Sequence, residues 1–259
     1  MSTLFTTYRT QNRIAYITLN RPEKRNAFSQ DFVRSLRNHF QQAKTDEEVK
    51  VVVLEAKGKV FCAGADLQYL QKLQDFSYEE NYDDSSFLRD LYAMIYSFPK
   101  PVIAAVQGHA IAGGCGLVTV CDYVLSVPQA KFGYTEVKIG FVPAIVMPFL
   151  VRKIGESRAR MLLLTGDLIS VQEALQYGIV HEVVPSEQLN DRVEKLATHL
   201  CDTNSATAMR LTKEMLLQTT GQPLEDALEA GAKLNASARQ TEDCQRGIAA
   251  FLSKEKIAW

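Results

Sequence analysis

Pro101-Val102-Ile103-Ala104-Ala105-Val106-Gln107-Gly108-His109-Ala110-Ile111-Ala112-Gly113-Gly114-Cys115-Gly116-Leu117 changes character twice within a short span. Pro101–Gln107 is a β-branched, apolar run and reads as a buried strand. Gly108–Gly116 is glycine-rich, and an apolar helix then reaches Cys121. The same order occurs upstream. Val49–Ala56 is a buried strand, Lys57–Ala65 a glycine-punctuated loop, and Asp66 can cap a following helix. Downstream, Tyr123–Val127 is again strand-like. Strand, turn and helix in alternation place this part of the chain in the α/β class.

Further out, Arg13–Asn20 alternates and ends at the Arg21-Pro22 turn. Ser29 caps a helix to about Lys44, with Phe32, Val33, Leu36 and Phe40 on one stripe. Lys72–Asp84 is polar and acidic and reads as a mobile loop before a helix from about Ser85 to Phe98. Beyond Glu156, helices dominate: Ser157–Leu164, Val171–Tyr177, Ser186–Leu200, Ala206–Gln218, Leu224–Ala238 and Glu242–Ser253. Only Ile179–Val184 looks extended.

The 259 residues carry 29 basic and 30 acidic side chains, a balance that supports neither a nucleic-acid surface nor a polybasic membrane anchor. Met1–Thr10 lacks a secretion pattern, and the longest apolar candidate, Ile139–Val151, is broken by Gly140, Pro143 and Pro148. The expectation is a cytoplasmic protein without membrane contact. Cys62, Cys115, Cys121, Cys201 and Cys244, with four scattered histidines, give neither a disulfide framework nor a metal-ligand spacing. No metal is expected.

Two loops carry the chemistry: Phe61-Cys62-Ala63-Gly64-Ala65-Asp66-Leu67, and Gln107 to Gly116. Each follows a strand and leads into a helix. Small residues admit a ligand close to the backbone. A helix start adds free N–H groups and the positive end of its dipole. Such a place suits a carbonyl oxygen that becomes anionic. Gly108, Ala110 and Gly113 also space like a dinucleotide fingerprint. That motif needs a carboxylate about 20 residues on, and Tyr123–Gln129 has none.

The whole chain resembles the crotonase family, the enoyl-CoA hydratases and isomerases. The matching pieces are Leu19-Asn20-Arg21-Pro22 with Asn26-Ala27, both loops, Cys121-Asp122, Ala130-Lys131-Phe132-Gly133, Glu136 and Gly140-Phe141-Val142-Pro143. Leu164-Thr165-Gly166, Ala174–Val180 and Ala250-Phe251-Leu252 follow in order. The resemblance implies an α/β core of repeated ββα turns over residues 1–195. It implies a C-terminal α-helical trimerisation region over 196–259, and homotrimers or homohexamers. It places oxyanion donors at Ala65 and Gly113, and the adenine end of coenzyme A near Lys24, Arg25, Ala63 and Leu67. Ala27, Gly64, Gly114 and Pro143 fall among the substrate-binding positions, and Asp66 caps the helix that fixes the Ala65 amide. Coenzyme A belongs to the substrate, so no cofactor is expected.

Hydratases of this family carry two glutamates. Glu136 matches the second; the first falls on Gly116. One carboxylate suffices to move a double bond in a 3-enoyl thioester. Hydration of a 2-enoyl thioester needs a held water as well, and His109 and Tyr134 are the candidates by position, with ordinary packing the commoner role for each residue type. The Gly-rich turn and the Glu136–Ala144 run resemble bacterial methylglutaconyl-CoA hydratases, and a glycine at 116 is read as room for a branched acyl group. Hydratase is the expectation, isomerase the alternative, and a non-catalytic acyl-CoA binder the third reading.

Overall fold

The computed structural model describes residues 5–259. The reading of Met1–Thr10 therefore lies partly outside the described residues. The elements run β1 (Thr6–Gln11), β2 (Ile14–Leu19), α1 (Gln30–Thr45), β3 (Val51–Ala56), β4 (Val60–Cys62), α2 (Leu67–Leu73), α3 (Tyr78–Tyr96), β5 (Val102–Val106), β6 (His109–Ile111) and α4 (Gly113–Thr119). They continue with β7 (Tyr123–Ser126), β8 (Lys131–Gly133), α5 (Met147–Ile154), α6 (Glu156–Thr165), β9 (Ile169–Ser170), α7 (Val171–Tyr177) and β10 (Glu182–Val183). Four helices close the chain: α8 (Leu189–Thr203), α9 (Ala206–Thr219), α10 (Leu224–Ala238) and α11 (Glu242–Ser253).

Two sheets organise the core. One has the order β1-β2-β3-β5-β7-β10, the other β4-β6-β8-β9. Each repeat sends its first strand (β3, β5, β7) to the large sheet and its second (β4, β6, β8) to the small one. The repeats stack in parallel, Val53 opposite Ile103 and Ala104 opposite Val124 in one sheet, Val60 opposite His109 and Ala110 opposite Phe132 in the other. Val51–Leu54 and Val102–Val106 are buried along their length, as strands covered on both faces must be. This is the ββα core expected from the crotonase resemblance.

Three readings change. The stretch Lys72–Asp84 is not a loop throughout. α2 runs to Leu73 and α3 begins at Tyr78, where the Ser77 hydroxyl accepts the Glu80 N–H at 3.2 Å and Glu80 accepts the Ser77 N–H at 2.8 Å. That capping box satisfies two free amides at once. β1 extends the sheet through a hairpin turned by Asn12 and Arg13, both at positive φ (51° and 65°). β6 interrupts the glycine-rich segment before α4.

Asn26, buried and at φ 54°, ties the Arg21–Ala27 turn to the β3–β4 connection. Its amide donates to the carbonyls of Lys57 (2.9 Å), Val60 (3.0 Å) and Phe61 (3.1 Å), and its oxygen accepts the Arg21 N–H at 2.8 Å. Asn26→Ala leaves those groups without partners and is expected to cost roughly 2–4 kcal/mol in urea unfolding. A loss under 1 kcal/mol would show that water or a shifted turn replaces them.

Candidate active site

The first loop is built on Phe28. Phe28 donates its N–H to Gly64 O (2.7 Å) and accepts the Asp66 N–H at its carbonyl (2.8 Å). In this parallel bridge the residue between, Ala65, directs its own N–H away from Phe28. No described residue accepts it. Ala63 N–H is occupied by Arg25 O at 3.0 Å, which joins the Lys24-Arg25 turn to the loop. The Lys24 and Arg25 side chains are exposed and have no ion-pair or hydrogen-bond partner among the described residues. Ala27 is buried beneath them and Leu67, 81% exposed, opens α2 above. Asp66 caps α2 by accepting the Gln68 N–H at 2.8 Å, and it pairs with Arg21 at 2.8 Å. Its carboxyl is held below the usual range: the Gln68 amide and the Arg21 guanidinium outweigh the burial that by itself would raise it.

The second loop lies against the first. A Cβ on Gly64 would stand 2.8 Å from the Ala112 Cβ and 3.4 Å from the Gly113 nitrogen, and Gly64 itself sits at φ +85°. A Cβ on Gly114 would be 2.3 Å from Cys62 O, so α4 rests directly on β4. Ala112 N–H donates to Gly133 O at 2.8 Å, bringing β8 to the same place. Ala112 has φ 51° and ψ −125°, a strained geometry for a residue with a side chain. Gly113 opens α4, and its N–H also meets no acceptor among the described residues. Two unpaired amides, one from each loop, thus flank the Gly64–Gly113 contact.

Glu136 follows β8 at the start of a short 3-10 turn, Glu136–Ile139. Its Oε2 is buried and has no hydrogen-bond partner among the described residues. Burial pushes its pKa up, partly offset by its own backbone amide. Three residues before Glu136, the Gly133 carbonyl accepts the Ala112 N–H, which joins the strand that leads to Glu136 to the second loop. Pro143 is buried where the chain turns into α5.

Two candidates for the water site are otherwise engaged. The Tyr134 hydroxyl is fully buried against the Thr119 hydroxyl at 2.6 Å. Thr119 ends α4, about 9 Å along the helix from Gly113 at 1.5 Å per residue. His109 accepts the Lys131 N–H at Nδ1 (3.1 Å), an edge contact between β6 and β8. Gly116 does not supply room either. A Cβ there would meet Val146 Cγ1 at 2.5 Å and the Tyr92 ring at 3.1 Å and 3.2 Å. Val146 and Tyr92 fill the place where another side chain would start. Tyr92 does not stand out in the sequence, where it reads as one core position of a helix, whereas Val146, with Ile145 and Met147, falls in the stretch expected to set acyl specificity.

Among the described residues no cluster of His, Cys, Asp and Glu is placed to hold a metal ion, and no helix is long and apolar enough to cross a membrane. A cavity of about 780 Å³ between α9, α11 and the starts of β5 and β7 does not touch either loop.

The sequence pattern of the enoyl-CoA hydratase/isomerase family matches residues 9–259. A Thermus thermophilus protein named for enoyl-CoA hydration is 43% identical over 94% of this chain and 96% of its own. The 2,3-dehydroadipyl-CoA hydratase of Escherichia coli K12 is 34% identical over 94% of each chain. The crystal structure of an enoyl-CoA hydratase from Shewanella pealeana superposes with a TM-score of 0.95 at 30% identity, covering 100% of this chain and 97% of the other. The chain is an enzyme of the enoyl-CoA hydratase/isomerase family.

Proposed function

We propose that the protein adds water to a 2-enoyl-CoA, with Glu136 as the one acid/base group. The observation that carries this reading is the buried Oε2 of Glu136, unpartnered among the described residues, on the turn after β8, the strand whose Gly133 carbonyl binds the second loop. The thioester oxygen sits between the N–H groups of Ala65 and Gly113. Glu136, as carboxylate, takes a proton from water as the water oxygen bonds to the β-carbon. The electron pair of the double bond moves onto the thioester as an enolate, held by the two amides. Glu136 then returns the proton to the α-carbon. Lys24 and Arg25, exposed and unpaired at the rim, suit the phosphates of coenzyme A.

Relatives named for hydration, including a crotonyl-CoA hydratase of Syntrophomonas wolfei, favour this reaction over isomerisation. A branched, carboxylated acyl group of the methylglutaconyl type rests on the likeness of the Glu136–Ala144 run alone, because Val146 and Tyr92 occupy the space at Gly116. We further propose assembly as a homotrimer or homohexamer through residues 196–259. Exposed Leu224, Leu228, Phe251 and Leu252 on α10 and α11 support it.

Purified protein is expected to hydrate crotonyl-CoA or methylglutaconyl-CoA, read as loss of enoyl-thioester absorbance. The ratio of the two rates assigns the acyl group. Turnover of a 3-enoyl-CoA alone would replace hydration by isomerisation, and tight coenzyme A binding without turnover would leave a binding protein.

A further inference from the structure

Tyr92, fully buried, touches the candidate oxyanion loop with its hydroxyl. It comes from α3, far from both loops in sequence. Its hydroxyl donates to Gly113 O at 2.8 Å. The same ring lies over the bare face of α4: the hydroxyl is 2.9 Å from where a Gly113 Cβ would stand, and ring atoms are 3.1 Å and 3.2 Å from a Gly116 Cβ. Gly113 and Gly116 are one turn apart, so a single aromatic ring spans the side of the helix that both glycines leave open.

A glycine has no preferred backbone geometry of its own. The Gly113 amide can hold a fixed direction only if the peptides on both sides of it are held. The 112–113 peptide, which carries the Gly113 N–H, is anchored by Ala112 O, which accepts the Gly116 N–H at 3.1 Å, and the 111–112 peptide before it by Ala112 N–H on Gly133 O. On the following side the anchor is Tyr92. Through the hydroxyl, α3 sets the plane of the 113–114 peptide.

We propose that Tyr92 is a positioning residue for enolate stabilisation, orienting the Gly113 amide through its hydrogen bond to the Gly113 carbonyl. The proposal rests on the reading of Gly113 as an oxyanion donor. A misdirected donor loses more in the enolate, where the oxygen is charged, than in the bound substrate. Removing the Tyr92 hydroxyl therefore acts on kcat more than on KM.

The test is Tyr92→Phe, which keeps the ring and removes one oxygen, assayed with crotonyl-CoA. The expected result is a fall in kcat of about 10- to 50-fold with KM within about threefold. Affinity for acetoacetyl-CoA, whose enolate carries charge on the thioester oxygen, falls by a similar factor, while affinity for saturated butyryl-CoA changes less than twofold. Phe149→Leu serves as a packing control. Phe149 lies against Tyr92 with ring centroids 6.4 Å apart. It is expected to lower the melting temperature with kcat within twofold. Unchanged kcat in Tyr92→Phe, equal losses for acetoacetyl-CoA and butyryl-CoA, or an equal kcat loss in Phe149→Leu overturns the positioning role. A wild-type protein inactive on every 2-enoyl thioester overturns the proposed function instead, and the positioning role with it.

Discussion

Glu136→Gln is expected to lower turnover at least about a hundredfold while leaving butyryl-CoA affinity within about twofold. The change keeps the side chain's shape and removes its capacity to take and return a proton. It should also make the protein more stable at neutral pH. Burial raises the Glu136 pKa, so the folded protein holds that proton more tightly than the unfolded chain does. The resulting stability is present below the ordinary glutamate range and is lost as pH rises through the raised value. At neutral pH the wild type thus bears an unfavourable buried charge that Gln lacks. The melting temperature of Glu136→Gln should exceed that of wild type at pH 7.5, with the gap closing near pH 4. The wild-type pH profile of kcat/KM should show an acidic limb above the ordinary glutamate range, absent from the variant. Wild-type turnover in Glu136→Gln would remove this residue from the mechanism.

Gly116→Glu tests the opposite intuition. The resemblance to two-carboxylate hydratases invites the idea that a glutamate here would improve hydration. The packing says otherwise. A Cβ at this position would lie 2.5 Å from Val146 Cγ1, and Val146 is buried. The new carboxylate would also be driven against a fully buried Tyr92. Overpacking and an unpaired buried charge together are expected to cost about 2–4 kcal/mol. Displacement of the Tyr92 ring or of α4 should reduce turnover at least about a hundredfold. Gly116→Glu with Val146→Ala clears the closest contact and should recover part of the urea midpoint. Faster hydration by the single variant would show that Val146 and Tyr92 yield readily, and that the single-carboxylate site is not imposed by packing.

These residues also show what the chain discloses when read linearly. The two loops were legible because their signals are local: a buried strand, small residues and a helix start follow one another directly. The setting of Glu136 is local too, an acid among Phe132, Val137, Ile139 and Phe141, and the structure buries its Oε2. The α7, α10 and α11 spans agree with their sequence boundaries: Ser170 and Thr241 cap α7 and α11, and Pro223 precedes α10. The Ser77–Glu80 capping box was present in the sequence but was outweighed by the acidic composition around it. The β1–β2 hairpin gave no warning, because Asn12 and Arg13 adopt a turn geometry that glycine usually marks.

The three-dimensional surroundings of the other candidate positions are not local in this way. His109 and Tyr134 are near the loops along the chain, but strand direction and helix length send their polar atoms to Lys131 and Thr119. Tyr92 and Val146 come from α3 and the entry to α5, and only tertiary packing brings them to Gly116. Empty space at a glycine cannot be inferred from the glycine, since what fills it is set by other elements.

The way Asn26, Gly64, Ala112 and Gly133 interlock has a consequence for how the chain acquires its activity. Each contact joins segments far apart in sequence: Asn26 to Phe61, Gly64 to Gly113, and Gly113 to Tyr92. Contacts of such high order form late, after the loops between them have been closed. In the proposed mechanism the two amides and the carboxylate can act together only when three successive repeats have docked. A nascent chain that ends before Glu136 holds both amide loops and no proton carrier. Competence for chemistry therefore arrives as a property of the finished stack rather than of any one repeat.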